Sequence, residues 1–76
     1  MNYVKANWEE LELGKTFYYE LWDCETHTPI YKKVQVIYLD DKKVVYRTES
    51  GFGLFINKSQ YNEIYLYKED KQIRLF

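Results

Sequence analysis

The sequence predicts a mainly β fold, a small antiparallel barrel of five to six short strands. The first observation is a hairpin pattern: residues 33–39 and 44–48 are both rich in β-branched and aromatic side chains, and the charged residues 40–43 separate them. The second is that similar short runs recur between turn-forming residues along the chain. The third is length, because 76 residues make one domain, 1–76, and leave no room for another.

The alternation of apolar and polar residues predicts how the strands of this central hairpin pair. An odd number of loop residues would bring six side chains to one face, namely Val34, Val36, Tyr38, Val44, Tyr46 and Thr48. An even number would instead place Val36 beside Arg47. The odd register keeps apolar and polar side chains on separate faces, so we prefer it.

Local patterns predict the elements that precede the hairpin. Residues 1–7 are expected to fray, and Asn7 is a suitable N-cap for one or two helical turns within residues 8–13. Strand one is predicted at Thr16–Asp23. Residues 24–29 are predicted to form a loop, because Pro29 cannot take part in a central hydrogen-bond ladder.

The elements after the hairpin are shorter. The two glycines within residues 50–53 predict a flexible connection to a short strand at 54–57. Residues 58–61 are expected to form a single helical turn before the next strand at 63–67. Residues 72–76 are expected to form a sixth strand or a tail folded over one end of the barrel.

This order of elements resembles the Src-homology-type barrel, a class that includes Tudor-type and KOW-type modules. The resemblance rests on residues 13–17 at the start of strand one, on the hairpin 32–48, and on the strand–turn–strand segment 53–64. It implies the fold alone. In Tudor-type modules a cage of aromatic residues binds methylated side chains, but no residue here matches that cage position by position. The resemblance therefore implies no function.

Reactive side chains occur together in one stretch, from Asp23 to His27. Cys24 and His27 could supply half a zinc site or a thiolate–imidazole pair, but no further ligand or orienting group is indicated. We expect instead a semi-buried cysteine that packs at the strand end and a solvent-exposed loop histidine. The sequence thus predicts no enzyme, no metal, no cofactor and no small-molecule substrate.

The location of the chain is predicted from three features. A single cysteine suits a reducing compartment. The N-terminal segment carries acidic residues where a secretory signal would carry basic and apolar ones. No apolar run approaches the roughly 20 residues that span a bilayer. We therefore expect a cytoplasmic chain that does not enter the membrane.

The aromatic content points to a binding surface. The chain has fifteen aromatic residues, nine of them Tyr, and seventeen more Val, Ile and Leu. Five strands of about six residues offer only ~15 inward positions. The surplus is either scattered over the surface or clustered, and Tyr and Trp are enriched at binding hot spots. Alternation along the strands places Tyr18 and Trp22 on one face of strand one, and Tyr65 and Tyr67 on one face of the strand at 63–67. The predicted partner-binding residues are Tyr18, Trp22, Phe52, Tyr65 and Tyr67.

These features predict a non-catalytic protein-binding module that occupies the surface of a partner protein, or of a second copy of itself in a homodimer. A small, Tyr- and Lys-rich chain with a single alanine has the composition of an A+T-rich genome. It resembles phage or mobile-element proteins that inhibit a host factor such as a defence enzyme.

Nucleic-acid binding through the basic hairpin is the alternative. Tyr31 would stack on bases, and the side chains that would contact phosphates are Lys32, Lys33, Lys42, Lys43 and Arg47. The net charge of −1 counts against this alternative.

Overall fold

The computed structural model describes residues 3–70, which form six β-strands and two short 3₁₀ turns. The strands are β1 (Tyr3–Lys5), β2 (Thr16–Asp23), β3 (Thr28–Leu39), β4 (Lys43–Thr48), β5 (Gly53–Asn57) and β6 (Leu66–Glu69). They make one antiparallel sheet in the order β1-β6-β2-β3-β4-β5. The predicted mainly β, antiparallel fold is confirmed. Within residues 3–70, β1 and β5 do not pair with each other, so the sheet is open.

The core lies on one side of the sheet, which we call the inner face. Phe17 lies opposite Val34, and Val36 lies opposite Tyr46, so alternating side chains of three strands point the same way. The buried apolar side chains are Ala6, Leu11, Phe17, Val34, Val36, Val44, Tyr46, Ile56, Tyr61 and Leu66. The opposite side of the sheet, the outer face, has no second layer of strands or helices among the described residues.

The predicted register of the central hairpin is confirmed for most of its length and wrong near the turn. Val34 pairs with Thr48 and Val36 with Tyr46, as the separation of apolar from polar residues requires. A β-bulge between Val36 and Tyr38 then shifts the register by one residue. Tyr38 consequently pairs with Val45 and points to the outer face, while Leu39 takes its place against the core.

The Asp40 side chain organises the turn of this hairpin. Its Oδ1 accepts the backbone N–H groups of Lys42 and Lys43 at 2.7 and 2.9 Å, and its Oδ2 accepts the Tyr38 hydroxyl at 2.7 Å. The hydrogen bond from Tyr38, followed by those from the backbone, lowers the pKa of Asp40. Asp40 thus stabilises this turn through its side chain, whereas a tighter turn would need glycine.

Strand one was predicted at Thr16–Asp23, and β2 has these bounds. The loop predicted at 24–29 is shorter, because β3 begins at Thr28 and includes Pro29. The N–H of Val36 donates to the Lys15 carbonyl, so alternate residues of β3 face β2 and the nitrogen of Pro29 points away from it. Pairing with β4 stops at Val34, so Pro29 interrupts no ladder.

Other predictions need correction. Within the segment expected to fray, Tyr3–Lys5 form strand β1, which pairs with β6. The predicted helical turn at 8–13 is a single 3₁₀ turn, Trp8–Glu10, and the turn before the last strand is also 3₁₀, at Lys58–Gln60. The strand predicted at 63–67 is β6, which begins only at Leu66 because the turn continues through Ile64. The prediction for residues 72–76 falls outside the described residues.

Candidate protein-binding surface

Four tyrosine rings meet on the outer face of the sheet. We call them the tyrosine cluster, whose members come from four different strands: Tyr3, Tyr18, Tyr31 and Tyr67. The Tyr3 ring centroid lies 4.2 Å from that of Tyr31 and 4.8 Å from that of Tyr18. Tyr31 and Tyr67 meet edge to face at 5.3 Å. These are distances of directly packed rings, so the cluster forms a continuous aromatic surface rather than an open cage.

The strand register explains why these rings meet. Tyr18 and Tyr67 are directly opposite each other in the β2–β6 ladder. Glu20 follows two residues after Tyr18 on the same face and pairs with Tyr31 across the β2–β3 ladder. Tyr3 lies on the outermost strand and reaches over its neighbours to contact two of the rings. Ladder pairing therefore brings together residues as far apart in the sequence as Tyr3 and Tyr67.

A single carboxylate holds two hydroxyl groups of the cluster. The Tyr67 hydroxyl donates to Glu20 Oε1 at 2.8 Å, and the Tyr31 hydroxyl donates to Glu20 Oε2 at 3.4 Å. Burial and the hydrogen bond to Glu20 raise the pKa of Tyr67 to about 12. Burial and the nearby Glu20 charge also raise the pKa of Tyr31. Both phenols are therefore protonated at neutral pH, and the rings are fixed in orientation.

The tyrosine cluster continues into a two-stranded ribbon that projects from the sheet. Pairing of β2 with β6 extends only to Tyr19, and pairing of β3 with β4 only to Val34, so no third strand of the described part of the chain pairs with residues 20–33. Trp22 lies on the outer face of this ribbon, opposite Pro29, and 61% of its surface is exposed. A two-stranded ribbon has no core of its own in which this indole could be buried.

A shallow groove lies on the inner face, where the core ends. Its volume is about 440 Å³, and it is lined by the apolar side chains of Tyr19, Leu21 and Leu54 together with Lys32 and Glu49. Phe52 also lines it and is 70% exposed. The groove and the tyrosine cluster are on opposite faces of the sheet, so one flat partner surface cannot cover both.

The five residues predicted to bind a partner do not form one patch. Tyr18 and Tyr67 are in contact range within the tyrosine cluster, and Trp22 lies on the same face at its end. Phe52 belongs to the groove on the inner face. Tyr65 precedes β6, and its ring packs against Tyr61 at 5.0 Å, so the prediction that Tyr65 and Tyr67 share a face of one strand is wrong.

The basic residues predicted to contact nucleic acid are also divided. Lys33 lies opposite Tyr18 on the outer face, whereas its neighbour Lys32 lies opposite Tyr19 on the inner face. Lys42 and Lys43 are at the hairpin turn, six or more residues further along β3, which is roughly 20 Å away. Tyr31, predicted to stack on bases, is held in the tyrosine cluster by ring contacts.

Cys24 and His27 lie in the turn between β2 and β3. Asp23 shapes this turn, because its carbonyl accepts the His27 N–H at 2.8 Å and its carboxylate accepts the Glu25 N–H at 3.0 Å. His27 adopts a positive φ of 57°, and Cys24 is exposed rather than packed as expected. Within residues 3–70, no group of three or more His, Cys, Asp and Glu is placed to hold a metal ion.

Sequence reasoning missed Tyr3 and Glu20 as members of the surface and gave Tyr31 a different role. Glu20 could have been found from the strand alternation alone, since it lies between Tyr18 and Trp22 on the same face. Tyr3 gave no such signal, because a three-residue strand is too short to show a period.

Comparisons of the chain with protein-family models, with curated proteins and with solved structures found no match. In the part of the chain that is described, no helix has the length and apolar character needed to cross a bilayer.

Proposed function

We propose that this chain is a non-catalytic protein-binding module whose contact surface is the tyrosine cluster together with Trp22. The observation that carries the proposal is the continuity of this surface: packed tyrosine rings on one open sheet face lead to an exposed tryptophan on a projecting ribbon. Tyr and Trp supply large, rigid contact areas that need little ordering on binding, which is why they dominate hot spots.

Two further features support this proposal. The hydroxyl groups of Tyr31 and Tyr67 are fixed by Glu20, so the surface is preorganised before a partner arrives, which lowers the cost of binding. The form of the module we propose is a small Src-homology-like barrel, supported by the strand order β6-β2-β3-β4-β5 and by the 3₁₀ turn between β5 and β6. As a biological role, we propose inhibition of a host protein by a phage or mobile-element product, supported by composition and size alone.

Nucleic-acid binding receives less support from the geometry. The predicted basic residues lie on both faces and at the far turn, whereas a phosphate-tracking site needs a continuous basic stripe.

Site-specific photo-crosslinking tests the proposed surface. A photoreactive phenylalanine analogue at position 22 should capture a discrete protein from the lysate of the organism that encodes the chain. The matched control carries the same group at position 13, where Leu13 is 67% exposed and lies in the turn before β2, outside the tyrosine cluster. Replacing Tyr18 by Ala in the position-22 protein should reduce the capture several-fold. Equal capture from positions 22 and 13 would contradict the proposal.

A further inference from the structure

The two edges of the sheet differ in how they are protected against pairing with other chains. Edge strand β1 is only three residues long and carries Lys5. Edge strand β5 has five residues, Gly53–Asn57, none of which is charged or a proline. Its Phe55 and Leu54 side chains are 61% and 42% exposed. Short length, charge and proline are the usual protections of an edge, and β5 has none of them.

The backbone of β5 also presents free hydrogen-bonding groups. The Thr48 N–H donates to the Phe52 carbonyl, and the Lys58 N–H donates to the Lys42 carbonyl, at the two ends of the β4–β5 ladder. Hydrogen-bonded pairs alternate in an antiparallel ladder, so Leu54 and Ile56 direct their backbone groups toward β4. Gly53, Phe55 and Asn57 therefore direct theirs away from the sheet, where no other strand of residues 3–70 lies.

We propose that a second copy of this chain pairs with the β5 edge, antiparallel and about a twofold axis at Phe55. In this register Phe55 lies opposite Phe55 of the second copy, and Gly53 lies opposite Asn57 of the second copy. Each outward N–H and carbonyl of one edge then meets its complement on the other, as an isologous interface requires. The six-stranded sheet becomes a continuous sheet of two copies.

The side chains around β5 favour this occupant over an unrelated strand. Phe55, Val45 and Tyr38 form a row on the outer face, and the twofold axis joins this row to the same row of the second copy. Lys58 follows one end of β5, while Glu49 precedes the other end in the connecting turn. In the proposed register Lys58 of one copy lies opposite Phe52 of the second copy, next to the turn that carries Glu49, so opposite charges lie near each other at both ends of the interface.

The dimer goes beyond the proposed function and does not depend on it. The tyrosine cluster involves β1, β6, β2 and the start of β3, whereas the proposed interface is the opposite edge of the sheet. A dimer through β5 would therefore leave both copies of the cluster free and present two binding surfaces. Such a molecule would bind a symmetric or repeated partner more tightly than one copy would.

Sedimentation equilibrium of the purified chain tests the pairing without any partner protein. The wild type should show a concentration-dependent rise to twice the mass of the chain. Phe55→Lys places two ammonium groups opposite each other at the axis and should raise the dimer Kd by at least about tenfold, since like charges directly opposite across strands repel. Leu13→Lys adds the same charge at another exposed site and should leave the Kd unchanged.

Amide hydrogen exchange gives a second, independent measurement on the wild type. As concentration rises, the amides of Phe55 and Asn57 should become protected, because their N–H groups are directed outward in the monomer. Those of Leu54 and Ile56 should be protected at all concentrations. A chain that stays monomeric throughout, or a dimer in which the Phe55 amide still exchanges rapidly, would overturn the proposal.

Discussion

Neighbouring aromatic residues of β2 differ in burial, because one points to the inner face of the sheet and the next to the outer face. Phe17 points into the core and is 1% exposed, in contact range of its cross-strand neighbour Val34. Tyr18, the next residue, points outward and is only half-buried within the tyrosine cluster. The difference shows that one strand serves two purposes: its inner side chains hold the fold together, and its outer ones build a surface. Substitutions on the two faces should therefore separate stability from binding.

The largest expected effect is on the inner face. Phe17→Ala removes a fully buried ring and should lower the free energy of unfolding by about 3–5 kcal/mol, because a cavity remains in the core. Urea unfolding followed by tryptophan fluorescence measures this loss of unfolding free energy. A variant with no cooperative unfolding transition would also agree with the prediction, because it would no longer fold stably. Tyr18→Ala is the matched outer-face control and should cost less than half as much, since water already reaches its ring. Equal losses would show that the cluster is a second core.

A smaller loss of unfolding free energy is expected when the hydroxyl group of the core residue Tyr61 is removed. The Tyr61 hydroxyl donates to the Ala6 carbonyl at 2.8 Å and accepts the Leu66 N–H at 3.2 Å, joining the chain before the first 3₁₀ turn to the start of β6. Tyr61→Phe leaves both backbone groups without this partner and should cost about 1–3 kcal/mol of unfolding free energy.

Tyr65→Phe is the control for this substitution. The Tyr65 ring packs beside that of Tyr61, but within residues 3–70 its hydroxyl makes no protein hydrogen bond of the kind that joins Ala6 to Leu66. Its loss should change the unfolding free energy by less than about 0.5 kcal/mol. A comparable cost for both variants would mean that the hydrogen bonds of Tyr61 contribute little.

Much of this fold could be predicted from the sequence because its strands show a clear period of two. β2 was predicted with its observed bounds, and the shared face of Val36 and Tyr46 followed from the separation of apolar from polar residues. The β-bulge at residues 36–38 could not be predicted, since it depends on fitting the Asp40 turn to that register. β1 was missed because a three-residue strand is too short to show a period, and it forms through pairing with β6 and contacts with residues distant in the sequence.

The candidate surface was predictable within a strand but not between strands. Alternation placed Tyr18 and Trp22 on one face, and the structure has them there. The meeting of Tyr3 with Tyr31 depends on the order β1-β6-β2-β3, which no local pattern of residues contains. Tyr65 was assigned to the same face as Tyr67 because the strand was expected to begin three residues too early.

The smallest expected effect concerns the outer face at alkaline pH. The folded chain holds the pKa of Tyr67 at about 12 through burial and the hydrogen bond to Glu20, against 10.0 for the free side chain. A raised pKa means that the folded state binds the phenolic proton more tightly than the unfolded state does. This contribution to stability is complete below about pH 10 and is lost as the pH rises toward about 12.

Burial raises the pKa of Tyr61 to about 12 as well and also raises that of Tyr46, so the wild type should lose stability over this window through both faces. Urea midpoints of the wild type and of Tyr67→Phe, measured between about pH 9 and about pH 11.5, separate the two contributions. The variant lacks the outer phenol and should lose less stability as the pH rises. Because the Tyr67 ring is only partly buried, this difference should be smaller than the cost of Tyr61→Phe at neutral pH. Parallel pH profiles for the two proteins would mean that folding does not raise the pKa of Tyr67, and that its hydrogen bond to Glu20 contributes nothing to stability.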